Sequence, residues 1–175
     1  MIFILNVKPV INSENIRDFL ISEFKLLETE VNEITVDNEN MVMSYEITVR
    51  NYPSELQTEL CFYLNDNLCL EFELYNDLQL AIKFSDYFFM DVIFSDQSND
   101  PYRWILLNTE KELYIVDEQL EGVNEEGFYI DYKSAQKVSE ERVLSVLPSK
   151  DYFLIDLKNR PVFYNSDPTW GHENN

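Results

Sequence analysis

The sequence contains little glycine and almost no histidine, and this scarcity excludes several common kinds of functional site. Only three glycines occur among its 175 residues, so no glycine-rich loop of the dinucleotide or P-loop type can form around a phosphate. The sole histidine, His172, lies near the C-terminal end of the sequence, where a catalytic base would have no rigid support. We therefore expect no nucleotide cofactor and no Ser-His or Cys-His nucleophile.

Cysteines and long apolar runs are also scarce. Cys61 and Cys69 are the only cysteines, too few to give zinc-ligand spacing with one distant histidine. Residues 1–10 lack the basic region and apolar core of a secretory signal, and no apolar run approaches the roughly 20 residues of a membrane helix. We expect a soluble cytoplasmic protein with no metal and two free, half-buried thiols; a disulfide across a short hairpin is the alternative.

Positive charge is the third scarcity. The chain has 13 Lys and Arg against 33 Asp and Glu, a formal net charge of -20, which repels nucleic acid and anionic membranes and attracts basic partners. Disorder is excluded because 45% of the residues are hydrophobic, including 12 Phe and 11 Tyr. The acidity predicts a basic protein partner and no direct nucleic-acid binding; solubility alone is the alternative.

The chain has the length of one domain. We expect that domain over residues 1–165, followed by a polar tail over 166–175, with the free protein a monomer. The apolar run Ile2–Val7 predicts a strand, and the three-and-four spacing after Ser13 predicts an amphipathic helix. Alternating segments predict two hairpins, 32–36 with 41–50 and 59–64 with 68–74.

The second half of the chain predicts a helix that begins at Asn76, which can cap it. Three short strands follow at 91–94, 103–107 and 113–116, and a further helix is expected over 133–147, before Pro148. These elements favour an α+β fold, a mostly antiparallel sheet with about three helices packed on it. Its core is expected to contain Phe19, Leu20, Phe24, Ile47, Leu70, Phe72, Ile82 and Ile105.

An acidic segment over residues 117–131 is the most pointed local feature. It contains six acids and no Lys or Arg, and aromatic residues follow closely. Carboxylates pair with Lys and Arg, while aromatic side chains supply the buried anchors of many interfaces. The predicted partner-binding residues are Asp117, Glu118, Glu121, Glu125, Glu126, Asp131 and Tyr129. The alternative is a solvated loop followed by an ordinary core strand.

A second candidate lies in and beside the loop 95–104, where acids and aromatic residues cluster, although ordinary core packing is the expected role of Trp104. Residues 78–116 also contain an apolar helix, the run Asp91-Val92-Ile93-Phe94, a polar loop that ends in Pro101-Tyr102-Arg103-Trp104, and a hairpin to Val116. This order resembles bacterial immunity proteins. The resemblance implies a small acidic cytoplasmic protein that binds a polymorphic or contact-dependent toxin domain, commonly a basic nuclease, and blocks its active site.

The sequence thus predicts an immunity-type inhibitor that covers the active site of a basic toxin domain with an acidic surface, and no enzymatic activity of its own. One alternative is a phage-type acidic nucleic-acid mimic that inhibits a DNA-binding enzyme, which would need two parallel acid rows spaced like phosphates. The other is a carboxylate-dependent hydrolase, which would need a deep pocket with two facing acids of divergent pKa.

Overall fold

A computed structural model describes residues 1–34, 42–121 and 127–159. His172 and the predicted tail over 166–175 lie outside these ranges. The strands are β1 (Ile2–Val7), β2 (Val31–Glu33), β3 (Met43–Val49), β4 (Thr58–Leu64), β5 (Val92–Ser95), β6 (Arg103–Leu107), β7 (Leu113–Glu118) and β8 (Ile130–Val138). The α-helices are α1 (Ser13–Phe24), α2 (Asp66–Glu71), α3 (Asp77–Phe88), α4 (Glu140–Leu144) and α5 (Lys150–Asn159), with a 3-10 turn at Glu28–Glu30.

The eight strands form one sheet in the order β2-β3-β4-β1-β5-β6-β7-β8. Neighbouring strands are antiparallel except for β2 and β3. Helices lie before, between and after the strands. The predicted mostly antiparallel α+β fold is therefore confirmed.

The helices share one core with one face of the sheet, which we call the helix face. Phe3 and Leu5 of β1 point into it and are fully buried. At its centre, the Phe19 ring of α1 lies edge-on to Phe24, Phe62 and Phe84, at centroid distances of 6.1, 6.4 and 5.2 Å. These edge-to-face pairs add to the free energy gained from burial. α1 begins at Ser13, directly after Asn12, which caps it by accepting from the Asn15 amide.

The opposite face of the sheet, the back face, is only half covered. A second, smaller core contains Leu56, Ile93, Leu106, Val116, Phe128 and Ile130, with Trp104 and Tyr114 packed against it. Its cover is formed by the loop before β4 and the residues just before β8, where the Leu56 and Glu55 amides donate to the Phe128 carbonyl at 3.1 and 3.0 Å. The cover therefore lies over β5, β6 and β7.

The predicted hairpin of 32–36 with 41–50 is wrong, because β2 and β3 are parallel, with Glu33 beside Tyr45. Both side chains bond to Ser13 at the start of α1: Ser13 Oγ donates to Glu33, and the Ser13 and Tyr45 hydroxyls are 2.7 Å apart. The hairpin would have placed Tyr45 opposite Asn32 and turned Glu33 to the other face. The predicted turn at 37–40 lies outside the described residues.

The predicted strand 68–74 is also wrong, because α2 occupies its first half. Asn65 caps α2 by accepting from the Leu68 amide at 2.8 Å, and Asp66 lies in the first turn, where a negative charge is favourable. The apolar residues that alternate between Leu68 and Leu74 do not share one buried face, since Leu70 is 38% exposed. Cys69 is buried on the helix face while Cys61, its partner in the alternative disulfide, lies on the back face, and no disulfide joins them.

Replacing Asn65 by alanine should lower the free energy of unfolding by about 1 kcal/mol, because the Leu68 amide would lose its acceptor. Equilibrium denaturation in urea measures the change. Asn67→Ala is the matched control, since Asn67 is exposed inside the helix and alanine favours helix there. Equal losses for the two variants would show that residues 66–71 are not a capped helix.

The predicted helix 133–147 is wrong in its first half. Residues 130–138 form the edge strand β8, and the short α4 begins only after Ser139, whose hydroxyl accepts from the Arg142 amide. The stretch Lys133-Ser134-Ala135-Gln136-Lys137 has moderate helix propensity. Pairing with β7 overrides that propensity, with Leu113 opposite Val138 and Glu118 opposite Ile130.

The predicted core residues of α1 and β6 are buried, but the other predicted core residues are only partly buried or exposed. Phe19, Leu20, Phe24 and Ile105 are buried, as expected. Ile47, Phe72 and Ile82 are only partly buried at the border of the core. Phe89 is 85% exposed, because it terminates α3 in a left-handed conformation.

Left-handed backbone occurs at five residues other than glycine in the described part of the chain. Their φ angles lie between 52° and 64°, and they are Lys25, Glu73, Phe89, Gln97 and Lys111. Lys25 and Phe89 terminate α1 and α3, where the left-handed residue is most often glycine. The scarcity of glycine therefore extends to positions where glycine is the residue of lowest strain.

A buried carboxylate lies where α3 meets the sheet. Asp77, in the first turn of α3, accepts from the Ile4 amide at 3.0 Å and lies 3.4 Å from the side-chain nitrogen of Gln97. Its burial raises its pKa from 3.8 to about 6, although these hydrogen bonds oppose the shift. The hydrogen bond to Asp77 therefore links α3 to β1, although burial of the carboxylate costs desolvation free energy.

Candidate functional site

The acidic segment is divided between two neighbouring strands. Asp117 and Glu118 end β7, and Asp131 lies in β8 directly opposite Asp117. Glu125 and Glu126 lie outside the described residues. Like charges opposite each other across a strand pair repel, so the sheet itself concentrates negative potential at this end of β7 and β8.

The fold brings one cation to this segment that the local sequence does not show. Arg103 of β6 lies beside β7, and its Nε is 3.6 Å from Asp117, while another of its nitrogens is 3.7 Å from Asp100. Both side chains of the Asp117 pair remain about half exposed, so the pair contributes little to stability. Asp117 is therefore partly compensated by a cation from the neighbouring strand.

Glu121 and Asp131 line an open groove of about 450 Å³ beside the start of β8. We call it the acidic groove; its lining residues are Gln119, Glu121, Ile130, Asp131, Tyr132 and Lys133. Glu121 is exposed, and Asp131 is half-buried with one carboxylate oxygen accepting from the Lys133 amide at 3.0 Å. Glu118 lies half-buried nearby, where burial raises its pKa. The groove thus combines carboxylates of different exposure with one cation.

Tyr132 is the aromatic residue that faces solvent at the groove. Its ring is 46% exposed, and its hydroxyl donates to Glu55 at 2.6 Å. Lys8 completes the cluster, 2.9 Å from the same carboxylate and 4.9 Å from the centre of the Tyr132 ring. Burial alone would raise the pKa of Glu55, but the bonds from Tyr132 and Lys8 and from the Ile130 amide hold it below its usual value. The cluster fixes the orientation of Tyr132.

Tyr129, predicted as a partner-binding anchor, is instead engaged within the protein. It is half-buried, and its hydroxyl donates to the Pro53 carbonyl at 2.5 Å. Gly127 permits this approach, because a Cβ there would lie 2.5 Å from the same carbonyl oxygen and 2.2 Å from the Tyr129 ring. Sequence reasoning ranked Tyr129 above Tyr132. No local signal would have distinguished the two, because the alternation along β8 places Tyr132 on the same side as the buried Ile130.

The loop 95–104 has mainly a structural role. Trp104 packs on Phe128 with ring centroids 4.7 Å apart, so the expected core packing of Trp104 is confirmed. Asp96 is buried and accepts from the Ser98 amide at 2.9 Å, while Asp100 accepts from the Tyr102 amide at 3.1 Å. These carboxylates stabilise the turns of the loop by accepting hydrogen bonds from its backbone.

The described ranges contain neither a metal-ligand cluster nor a membrane-spanning helix. Within residues 1–34, 42–121 and 127–159, no group of three or more His, Cys, Asp or Glu side chains could hold a metal ion. Over the same residues, no helix has the length and apolar character needed to cross a membrane. The carboxylate Asp77 is the most perturbed acid, and the groups that shift its pKa include no second carboxylate.

The comparisons with known proteins do not assign the chain to a family. No family model, curated protein or solved structure matches it. The resemblance to immunity proteins therefore remains a prediction from residues 78–116.

Proposed function

We propose that the protein is an immunity-type inhibitor that binds a basic toxin domain, a nuclease, through the acidic groove and covers its active site. The observation that supports the proposal is the groove itself, where exposed Glu121, half-buried Asp131 and oriented Tyr132 lie side by side in a chain of net charge -20. Carboxylates attract and pair with Lys and Arg of the partner, while the aromatic ring supplies contact area of low conformational entropy. The free protein would act as a cytoplasmic monomer.

In this proposal the inhibitor acts by stoichiometric binding and catalyses no reaction. A nuclease carries a cationic surface that holds the phosphates of its substrate. An acidic protein that covers this surface competes with nucleic acid for the same cations, and its field raises the rate of encounter. The nucleic-acid mimic and the hydrolase remain alternative predictions.

The proposal is tested with purified protein as bait in an extract of the source cell. The captured protein is then produced separately, and its nuclease activity is titrated against the inhibitor. We expect a basic partner whose activity falls to zero near one equivalent. The absence of any basic partner, or a partner whose activity is unaffected at excess inhibitor, would remove the proposal.

Neutralising the groove acids should slow association with that partner. For Glu121→Gln combined with Asp131→Asn, we expect the association rate at low salt to fall by about threefold or more and its dependence on salt to flatten. The Lys133 amide keeps an oxygen acceptor in the variant. Stopped-flow kinetics at two ionic strengths measure both effects.

The control for this pair is Asp18→Asn combined with Glu28→Gln. It removes the same charge from exposed acids on and after α1. A control that slows association as much as the groove variant would show that only the overall charge matters. Unchanged rates for the groove variant would place the interface elsewhere.

A further inference from the structure

The back face is uncovered over β1, β3 and β4, where apolar side chains of neighbouring strands are exposed. We call this part the open face; its outward residues are Ile2, Ile4, Ser44, Glu46, Thr48, Glu59, Cys61 and Tyr63. Strand register places them in rows, with Tyr63 between Ile2 and Ser44, and Cys61 between Ile4 and Glu46. Opposite residues in such rows are neighbours, about 5 Å apart at Cβ. The apolar residues are therefore contiguous.

The sequence of β1 is that of a strand buried on both sides. It lies in the middle of the sheet and reads Ile-Phe-Ile-Leu, with Phe3 and Leu5 buried under the helices. Such continuous apolar runs are typical of strands covered on both faces. Yet Ile2 is 60% and Ile4 42% exposed on the other side. Among the described residues, no second layer covers these side chains.

The charge of the open face indicates the sign of the charge on the partner that would bind there. β1, β3 and β4 contain Glu46 and Glu59 and no Lys or Arg. Arg50, which follows β3, is only 11% exposed and is held by Glu59 at 3.1 Å and by Asn6 at 2.9 Å. Glu46 is exposed, with the Tyr63 hydroxyl 3.5 Å away. The apolar centre thus has one exposed, uncompensated acid at its border, Glu46, and the strands carry no exposed cation.

We propose that the open face binds the same basic partner, and that a surface of that partner with an apolar centre and flanking Lys or Arg covers Ile2, Ile4 and Tyr63. This inference rests on the proposed function and adds a second contact to it. A second copy of this chain is the less suitable occupant, because two molecules of charge -20 repel and would bring Glu46 toward its own equivalent. An apolar centre with a polar border is the usual anatomy of an interface.

The open face and the acidic groove lie on the same side of the sheet. Ile130 lines the groove and belongs to the second core, which covers the other half of the back face. Lys8 follows β1 directly and holds Glu55 and Tyr132 at the groove. One partner can therefore reach both surfaces across the cover that separates them.

The test uses two synthetic peptides of equal length and charge, one alternating Lys with Val and the other alternating Lys with Ser. Amide chemical shifts of the isotope-labelled protein report where each binds. We expect the Lys-Val peptide to shift amides in β1, β3 and β4 and to bind about tenfold more tightly than the Lys-Ser peptide. Equal affinities, or shifts confined to the β8 edge, would overturn the proposal.

A charge reversal then tests the acidic border. Glu46→Lys should weaken binding of the Lys-Val peptide by about tenfold or more, because like charges would meet at the contact. Glu71→Lys, at an exposed acid of α2, is the matched control. Indistinguishable affinities for the two variants would contradict the assignment of the open face.

The outcomes for the two proposals can be separated. If the natural partner binds wild type and Glu46→Lys equally but loses affinity for the groove variant, the inhibitor function stands and the open-face inference fails. If no basic protein binds wild type, the inhibitor function fails, while the peptide shifts still decide whether the open face has an affinity for cationic apolar ligands.

Discussion

Phe19→Ala is expected to lower the free energy of unfolding by about 3–5 kcal/mol, because it removes a fully buried ring from the centre of the helix-face core. The ring lies 5.2 Å from Phe84 and 5.7 Å from Phe88, so its loss leaves a cavity between α1 and α3. Neighbouring aromatic rings are rigid and collapse poorly into such a space. Denaturation in urea gives the change from the shift in midpoint at an unchanged slope.

Phe89→Ala is the matched control for this substitution. The ring of Phe89 is 85% exposed at the end of α3, so we expect a change within about 0.5 kcal/mol. The same atoms are removed in both variants. Losses of similar size would mean that Phe19 does not occupy the core position that its ring contacts indicate.

Asp77→Asn is expected to remove a large part of the pH dependence of stability. The folded-state pKa of about 6 lies above the usual value of 3.8, so the folded protein binds the proton more tightly than the unfolded chain does. The contribution of this group to the free energy of unfolding is therefore fully present below pH 3.8 and is lost as the pH rises through 6. The whole effect amounts to about 3 kcal/mol, of which about 2 kcal/mol lies between pH 4.5 and 7.

The measurement is the free energy of unfolding at several pH values for wild type and variant. Wild type should gain about 2 kcal/mol relative to Asp77→Asn between pH 7 and 4.5. An asparagine oxygen can still accept from the Ile4 amide, so the tie between α3 and β1 is retained. Glu55 acts in the opposite direction, since its lowered pKa makes its contribution disappear at low pH. That contribution is common to both proteins and cancels.

Asp18→Asn controls for the loss of one negative charge. Asp18 is exposed on α1, and its replacement should leave the pH profile parallel to that of wild type. If Asp77→Asn also runs parallel to wild type, the carboxylate does not titrate in the folded state as its burial requires.

Elements defined by their own residues could be predicted from the sequence. The apolar run of β1 and the helical spacing of α1 need no distant partner to be recognised, and both elements occur where expected. The strands β5, β6 and β7 are separated by polar turns and occur where predicted, and they pair in succession. Local propensity and tertiary packing agree in these parts of the chain.

The errors occur where a distant contact or a single cap decides the structure. Residues 68–74 alternate like a strand, yet one hydrogen bond from the Leu68 amide to Asn65 starts a helix. The start of β8 has moderate helix propensity, yet pairing with β7 makes it a strand. In the candidate site, the approach of Arg103 to Asp117 depends on the pairing of β6 with β7. Tyr129 is engaged by Pro53, 76 residues away in sequence.

The five left-handed residues are positions where substitution by glycine could change the stability of the protein. Lys25, Glu73, Phe89, Gln97 and Lys111 each hold a Cβ in a conformation that costs roughly 1 kcal/mol more than it would for glycine. Part of that difference is offset by the greater entropy of glycine in the unfolded chain. At Phe89, whose side chain is almost fully exposed, a single substitution could still recover some of it. A variant stabilised in this way could tolerate a destabilising change elsewhere in the chain.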